Sequence, residues 1–255
     1  MPPESSVLRK NVLGVLLAGG QGSRLGQDKA LVDLADFQSL ESGFCRNDGN
    51  TASVPLGRAV LSALAACCRR LAVSVAHEGS ATGSRWNLPA RLGYPGAVLI
   101  EDRLAGCGPL AGLAAGLEEA AAATPPDEAV FVAACDYPLL PAEAVALLLD
   151  ALDAAGTEVD AALPEIEGRL HPLCGAWSPR VLPRLAEYLA SGERRAVEFA
   201  GRVATVRLTG ADFLRAGLDP ARSFLNVNTP DDLRRAARLL SEGSAAVAPS
   251  RIWRE

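Results

Sequence analysis

The stretch VLLAGGQGSRLGQDKAL, residues 15–31, begins as an apolar strand, breaks into glycines and ends on an arginine, an aspartate and a lysine. Gly19, Gly20 and Gly22 lack a Cβ, so the backbone there can turn sharply and aim several N–H groups at one anion. Arg24 and Lys29 add positive charge to those dipoles, which suits a polyphosphate such as a nucleoside triphosphate. Glycines after a strand also serve plain βα turns, and the loop alone leaves that reading open. Two familiar phosphate loops are excluded. Gln27 and Asp28 separate Gly26 from Lys29 and Ala30 follows the lysine, against the P-loop pattern, while the spacing of Gly20, Gly22 and Gly26 breaks the dinucleotide fingerprint.

Around this loop, apolar runs at 12–17, 71–76, 97–101, 130–135 and 159–163 predict strands. Alanine- and leucine-rich stretches at 55–70, 109–122 and 141–155 predict helices, two of them entered just after a glycine or leucine by a proline suited to a first turn. Alternation of this kind predicts an α/β fold, a mostly parallel sheet with helices on both faces and a binding crevice at the carboxyl ends of its strands. Residues 35–53 are polar and aperiodic and are expected to form a loop insertion. Residues 1–10 are expected to be a flexible N-terminus, 11–240 one domain and 241–255 a tail.

The chain has 255 residues, 49% of them hydrophobic, enough for a substantial core. Its 30 acidic and 25 basic residues give a net charge of -5 with no basic stripe, which argues against a nucleic-acid partner. The six cysteines contain no C-x-x-C pair and only two histidines are present, so zinc-ligand spacing is missing. Most of the cysteines lie in apolar segments and read as small buried hydrophobes in a reducing cytosol. The apolar run at 12–18 leads into a charged glycine loop rather than a cleavage site, and no run is long enough to span a membrane. A cytoplasmic protein without a membrane partner is expected.

LAGGQGSRLGQDKAL resembles the signature loop of the MobA-like nucleotidyltransferases, and five further landmarks follow in that family's order. They are EDRLAGCGPLAGLAAGL from Glu101, CDYPLL from Cys135, HPLCGAW from His171, GERRAVEF from Gly192 and NVNTPDDL from Asn226. The resemblance covers roughly residues 12–240. It implies a Rossmann-like, glycosyltransferase-A-like nucleotidyltransferase fold, and it is strongest to the branch that transfers GMP from GTP to the molybdenum-loaded pterin cofactor and releases pyrophosphate.

By that resemblance Leu17, Ala18, Gly19 and Gly20 contact the nucleotide, Lys29 holds its phosphates, and Arg24 stabilises charge as pyrophosphate leaves. Asp136 is the Mg2+ ligand and also lies against the phosphates, and Asp102 is a nucleotide contact. Arg24, Lys29 and Asp136 form the catalytic set. His171 with Arg194 and Arg195 falls where the family places its pterin-phosphate side. GTP and the pterin cofactor are the implied partners, with transient contact to a molybdenum-insertion protein or a recipient molybdoenzyme. The family's asparagine near the end of the second strand has no clear counterpart in LAVSVAHEG.

The residues themselves allow plainer roles. Asp136, before Tyr137 and Pro138, is placed to close a turn, and Arg24 to be a solvated loop residue. Asn226 and Asn228 are expected as cofactor-binding residues at the crevice: they alternate around Val227, so on an extended segment their amides share a side, while a plain helix cap by Thr229 before Pro230 is the alternative. His171 also reads as an ordinary strand histidine and the arginine pair as an exposed helix face. Three other functions compete: a cytidylyltransferase acting on the same cofactor, a sugar or isoprenoid nucleotidylyltransferase, and a silent cofactor-delivery subunit. The first two have loops resembling L-A-A-G, against Leu17-Ala18-Gly19-Gly20 here. A silent scaffold does not need Arg24, Lys29, Asp102 and Asp136 together.

Overall fold

The computed structural model describes residues 9–18, 29–34, 54–76, 87–104 and 106–245. Its central strand, β1 (Arg9–Leu17), is apolar on both faces because both are covered. Val12, Leu16 and Ala18 face one buried cluster, and Leu13, Val15 and Leu17 face another. The chain then forms α1 (Leu56–Ala65), β2 (Cys68–Ala76), β3 (Val98–Asp102), α2 (Pro109–Ala122), β4 (Ala129–Ala134) and α3 (Ala142–Ala155). It continues through β5 (Ala161–Ile166), β6 (Arg169–Leu170), β7 (Cys174–Trp177), α4 (Leu182–Ala190), β8 (Thr205–Thr209) and α5 (Pro230–Ala245).

The strands make one eight-stranded sheet in the order β3-β2-β1-β4-β7-β5-β6, with β8 on the other edge of β5. The pairs β1–β2, β1–β4, β2–β3 and β5–β8 are parallel. The pairs β4–β7, β5–β7 and β5–β6 are antiparallel, so the sheet is mixed, with its parallel part around β1. Leucines and valines of α1 and α3 cover one face, and those of α2 and α4 the other. The expected two-sided α/β architecture is therefore present. The order reverses at β1, whose neighbours are β2 and β4, and this places a crevice beyond the carboxyl ends of β1 and β4.

Two details differ from the sequence reading. The helix expected over 55–70 ends at Ala65, where Cys67 N–H turns back to Leu64 O, because Cys68 and Arg70 pair with Arg9 and Leu13 of β1. Tertiary pairing overrides the local alanine-rich propensity there. The antiparallel strands β6 and β7 were missed because they have only two and four residues. The expected insertion at 35–53 lies outside the described residues. The five described cysteines are buried and form no disulfide with one another. No described helix is long and apolar enough to cross a membrane.

Close backbone approach fixes the packing at two glycines. A Cβ on Gly175 in β7 would sit 2.9 Å from the carbonyl oxygen of Ala162, whereas one on Gly116 in α2 would meet the Val15 side chain at 2.9 Å. The first clash moves backbone, and the second moves one methyl group and is offset by alanine's helix propensity, about 1 kcal/mol over glycine. Gly175→Ala is expected to cost about 2–3 kcal/mol and Gly116→Ala less than about 1 kcal/mol. Denaturant titration measures both, and equal losses would contradict this packing.

Candidate functional site

A small third core assembles the site. Val32 and Leu34 follow the glycine loop, Leu139 follows β4, and Leu225, Val227, Leu233 and Ala236 come from the start of α5 and the segment before it. These residues pack with Leu56 of α1 and draw three distant segments to the mouth of the crevice. Backbone bonds lock the meeting: Val227 N donates to Asp136 O at 2.8 Å, and Leu56 N to Val32 O at 2.9 Å. Ala18 N donates to Ser74 O and Cys135 N to Leu17 O, closing the ends of β1 and β4.

On this support Lys29, in the one-turn helix Lys29–Leu31, places its ammonium 2.8 Å from Asp136 Oδ1 and 2.9 Å from Asn228 Oδ1. Only 12% of the Lys29 side chain is exposed, so its direction is set by burial as well as by charge. Asn228 Nδ2 donates to Asn226 Oδ1. Val227, between the two asparagines, is fully buried, so the alternation expected from sequence does put both amides on one side. Thr229 and Asp232 cap α5 reciprocally, and Asp232 Oδ2 also accepts from Asn228 N at 3.0 Å. The capping role and the crevice position of this segment are thus both present.

Asp102 ends β3 on the same edge of the sheet, but three strand spacings separate β3 from β4. At about 4.8 Å each they put Asp102 roughly 14 Å from Asp136, too far for both to ligate one ion directly. Leu17 and Ala18 end β1 and are nearly buried. Gly19, Gly20, Arg24 and His77 lie outside the described residues.

Next to Tyr137 a groove of about 790 Å3 opens between the β5–β6 hairpin, the helix Ala196–Ala200 and the segment around Phe224. Arg169, His171, Arg195, Arg235 and Asn226 line it. Arg195 also donates to Glu198 at 2.8 Å. Arg194 is turned to the end of α4, where it donates to Leu189 O and Glu193 O, both at 2.7 Å, and it does not line the groove. The expected pair therefore splits, because consecutive residues at the entry of a helix point in different directions.

His171 lies in the turn between β6 and β7 rather than in a strand, with Nδ1 3.1 Å from the Tyr137 hydroxyl and its ring against Phe224. Burial, with Arg169 nearby, lowers its pKa below the usual imidazole value. Burial, chiefly, raises that of Tyr137. Sequence reasoning missed the Lys29–Asp136 pair, Tyr137 and Arg169. Pattern places each on an element but does not say which elements share the third core.

Residues 14–206 match the model of the MobA-like NTP transferase domain. The chain belongs to the MobA-like NTP transferase family. A molybdenum cofactor guanylyltransferase of Cereibacter sphaeroides is 35% identical over 230 residues, 90% of this chain and 97% of the relative. One from Mesorhizobium japonicum is 34% identical over 238 residues, 91% and 98% of the two chains. Among solved structures, molybdopterin-guanine dinucleotide biosynthesis protein A of Archaeoglobus fulgidus superposes with a TM-score of 0.63 at 23% identity, covering 90% of this chain and 99% of that one. The 2-C-methyl-D-erythritol 4-phosphate cytidylyltransferase of Thermus thermophilus gives 0.54 at 18% identity, covering 89% and 98%. MobA-like transferases and cytidylyltransferases thus share this sheet.

The lowered pKa of His171 has a consequence for stability. A histidine held neutral in the fold binds fewer protons than in the unfolded chain, so its contribution is complete above about pH 6.5 and is lost as pH falls toward the lowered folded value. His171→Gln is expected to flatten the decline of Tm between about pH 7 and pH 5 relative to the parent. Parallel melting curves across that range test this, and an identical acid slope in both proteins would contradict it.

Proposed function

We propose that this member of the family transfers GMP from GTP to the terminal phosphate of a molybdenum-loaded pterin and releases pyrophosphate. The observation that carries the proposal is the end-to-end likeness to relatives bearing that activity's name, in a chain whose Lys29 and Asp136 meet where a triphosphate would lie. Both reactants are anions, so the task is to neutralise charge and hold an in-line geometry, with no covalent nucleophile required.

In this reading Leu17, Ala18, Gly19 and Gly20 approach the nucleotide, and Asp102 contacts it away from the phosphates. Lys29 exchanges part of its bonding with Asp136 for the phosphate oxygens, and Arg24 meets the departing pyrophosphate. Asn226 and Asn228 orient the groups that meet between crevice and groove. The pterin substrate occupies the groove, its terminal phosphate toward Asn226 and its anionic charge facing Arg169, Arg195 and Arg235.

Asp136 is the residue that would hold Mg2+, which when bound would neutralise triphosphate charge. The donor set suits that ion, since magnesium is commonly held by one or two carboxylates with substrate phosphates and water completing its shell. Asp136 offers a hard oxygen donor and is a quarter exposed.

The test is pyrophosphate release with GTP or CTP, each with and without molybdenum-loaded pterin, in the presence of Mg2+. Release is expected to need the pterin and to be at least about tenfold faster in kcat/KM with GTP, a difference of about 1.4 kcal/mol. Equal or faster use of CTP would assign the protein to cytidylyl transfer. No pterin-dependent release with either nucleotide would overturn the proposal.

A further inference from the structure

The β5–β6 hairpin that borders the groove is closed by two residues, Glu167 and Gly168, between the paired Ile166 and Arg169. Both have positive φ, 51° and 73°, as the tightest hairpin turns require. Gly168 adopts that conformation freely. Glu167 is the one non-glycine residue with positive φ among the described residues, and asparagine, aspartate or glycine would make the same turn more easily. A backbone cost kept at the edge of a binding groove points to a use for the side chain.

That side chain is a carboxylate that lines the groove and, among the described residues, has no hydrogen-bond or ion-pair partner. The other carboxylate of the groove, Glu198, is engaged by Arg195 at 2.8 Å. The groove therefore offers a ligand three kinds of contact. Arg169, Arg195 and Arg235 suit an anion, Ile166, Pro172 and Phe224 suit a flat apolar body, and Glu167 suits a group that donates hydrogen bonds.

We propose that Glu167 accepts two hydrogen bonds from the amino-pyrimidinone edge of the substrate's pterin ring, and thereby selects a pterin over ring systems that lack its exocyclic amino group. The inference rests on the function proposed above, which brings a phosphorylated pterin to the groove. A pterin's ring N–H and the neighbouring amino N–H are parallel donors, spaced to meet both oxygens of one carboxylate as a guanidinium does. Bonds to a charged acceptor are the strong ones, so their loss should cost about tenfold or more in affinity. Guanine carries the same edge, but the crevice, not the groove, takes the nucleotide.

The probe is the phosphate ester of 6-hydroxymethylpterin, compared with that of 6-hydroxymethyllumazine, in which oxygen replaces the amino group. Binding to the full chain is read from the fluorescence of the ring. The parent should bind the pterin ester at least about tenfold more tightly, and Glu167→Gln should reduce that preference below about threefold. Glu167→Asn should reduce it likewise while raising Tm by up to about 4 °C, because the turn gains a residue it prefers. A glutamate that served only the turn would change Tm and leave the preference alone.

Equal affinity of the parent for the two esters, binding of neither at millimolar concentration, or a preference kept by every variant that folds overturns the proposal. So does a fall in Tm with Glu167→Asn, which would tie the side chain to the fold. GTP affinity, measured by calorimetry, should be the same in parent and variants, and a loss confined to GTP would assign Glu167 to the guanine base and overturn it too. Pterin-dependent pyrophosphate release can fail while the binding preference stands, and the preference can be missing from a working transferase, so the two ideas fail separately.

Discussion

The parallel pairing of β1 with β4, in register from Val12 with Ala129 to Leu17 with Ala134, is the constraint on which the site depends. Two parallel neighbours end at the same edge of the sheet, so whatever follows them in sequence emerges side by side. After β1 comes the glycine loop ending at Lys29, and after β4 comes Asp136. The 2.8 Å ion pair between them is a product of topology before it is a product of charge. The third core then closes on the pair from outside, with Val32 and Leu34 on one arm, Leu139 on another and Val227 on the third. Removing buried volume there would misplace Lys29, Asp136 and Asn228 without touching them.

Much of this was legible in the residues. The two-sided burial of β1 and β4 is written as near-continuous apolar runs, and the proline that opens α2 and the one just before α3 mark where those helices begin. The alternation of Asn226, Val227 and Asn228 gave the shared direction of the amides. Other features were not legible because they arise from pairing across the chain. Cys68 to Arg70 look helical by composition yet form strand, since β1 supplies their partners. Arg194 and Arg195 look equivalent, yet one terminates α4 and the other lines the groove. Nothing local in the sequence says that the Tyr137 hydroxyl stands against His171.

The site has two halves that differ in how they handle charge. In the crevice, Lys29 and Asp136 neutralise each other, so arrival of a triphosphate would exchange one set of ionic contacts for another and limit the desolvation cost. In the groove, three arginines stand against Glu167 and Glu198, an excess of positive charge suited to an anionic ligand. Asn228, Asn226 and Tyr137 form the wall between them. An in-line transfer requires both reactants to meet at such a wall, and polar side chains without charge can orient phosphate oxygens there without capturing them.

The central claim is that Lys29 and Asp136 act as one unit on the transferring phosphate. A double-mutant cycle in kcat/KM with Lys29→Met, Asp136→Asn and the pair tests it most directly. Each single change should lose about a hundredfold to a thousandfold, the scale of a lost electrostatic contact in a transition state. The account predicts that the double variant falls no more than about tenfold below the weaker single, since removing either member already disables the unit. Losses that multiply, so that the double variant falls by the product of the two singles, would show the residues acting independently and would contradict it.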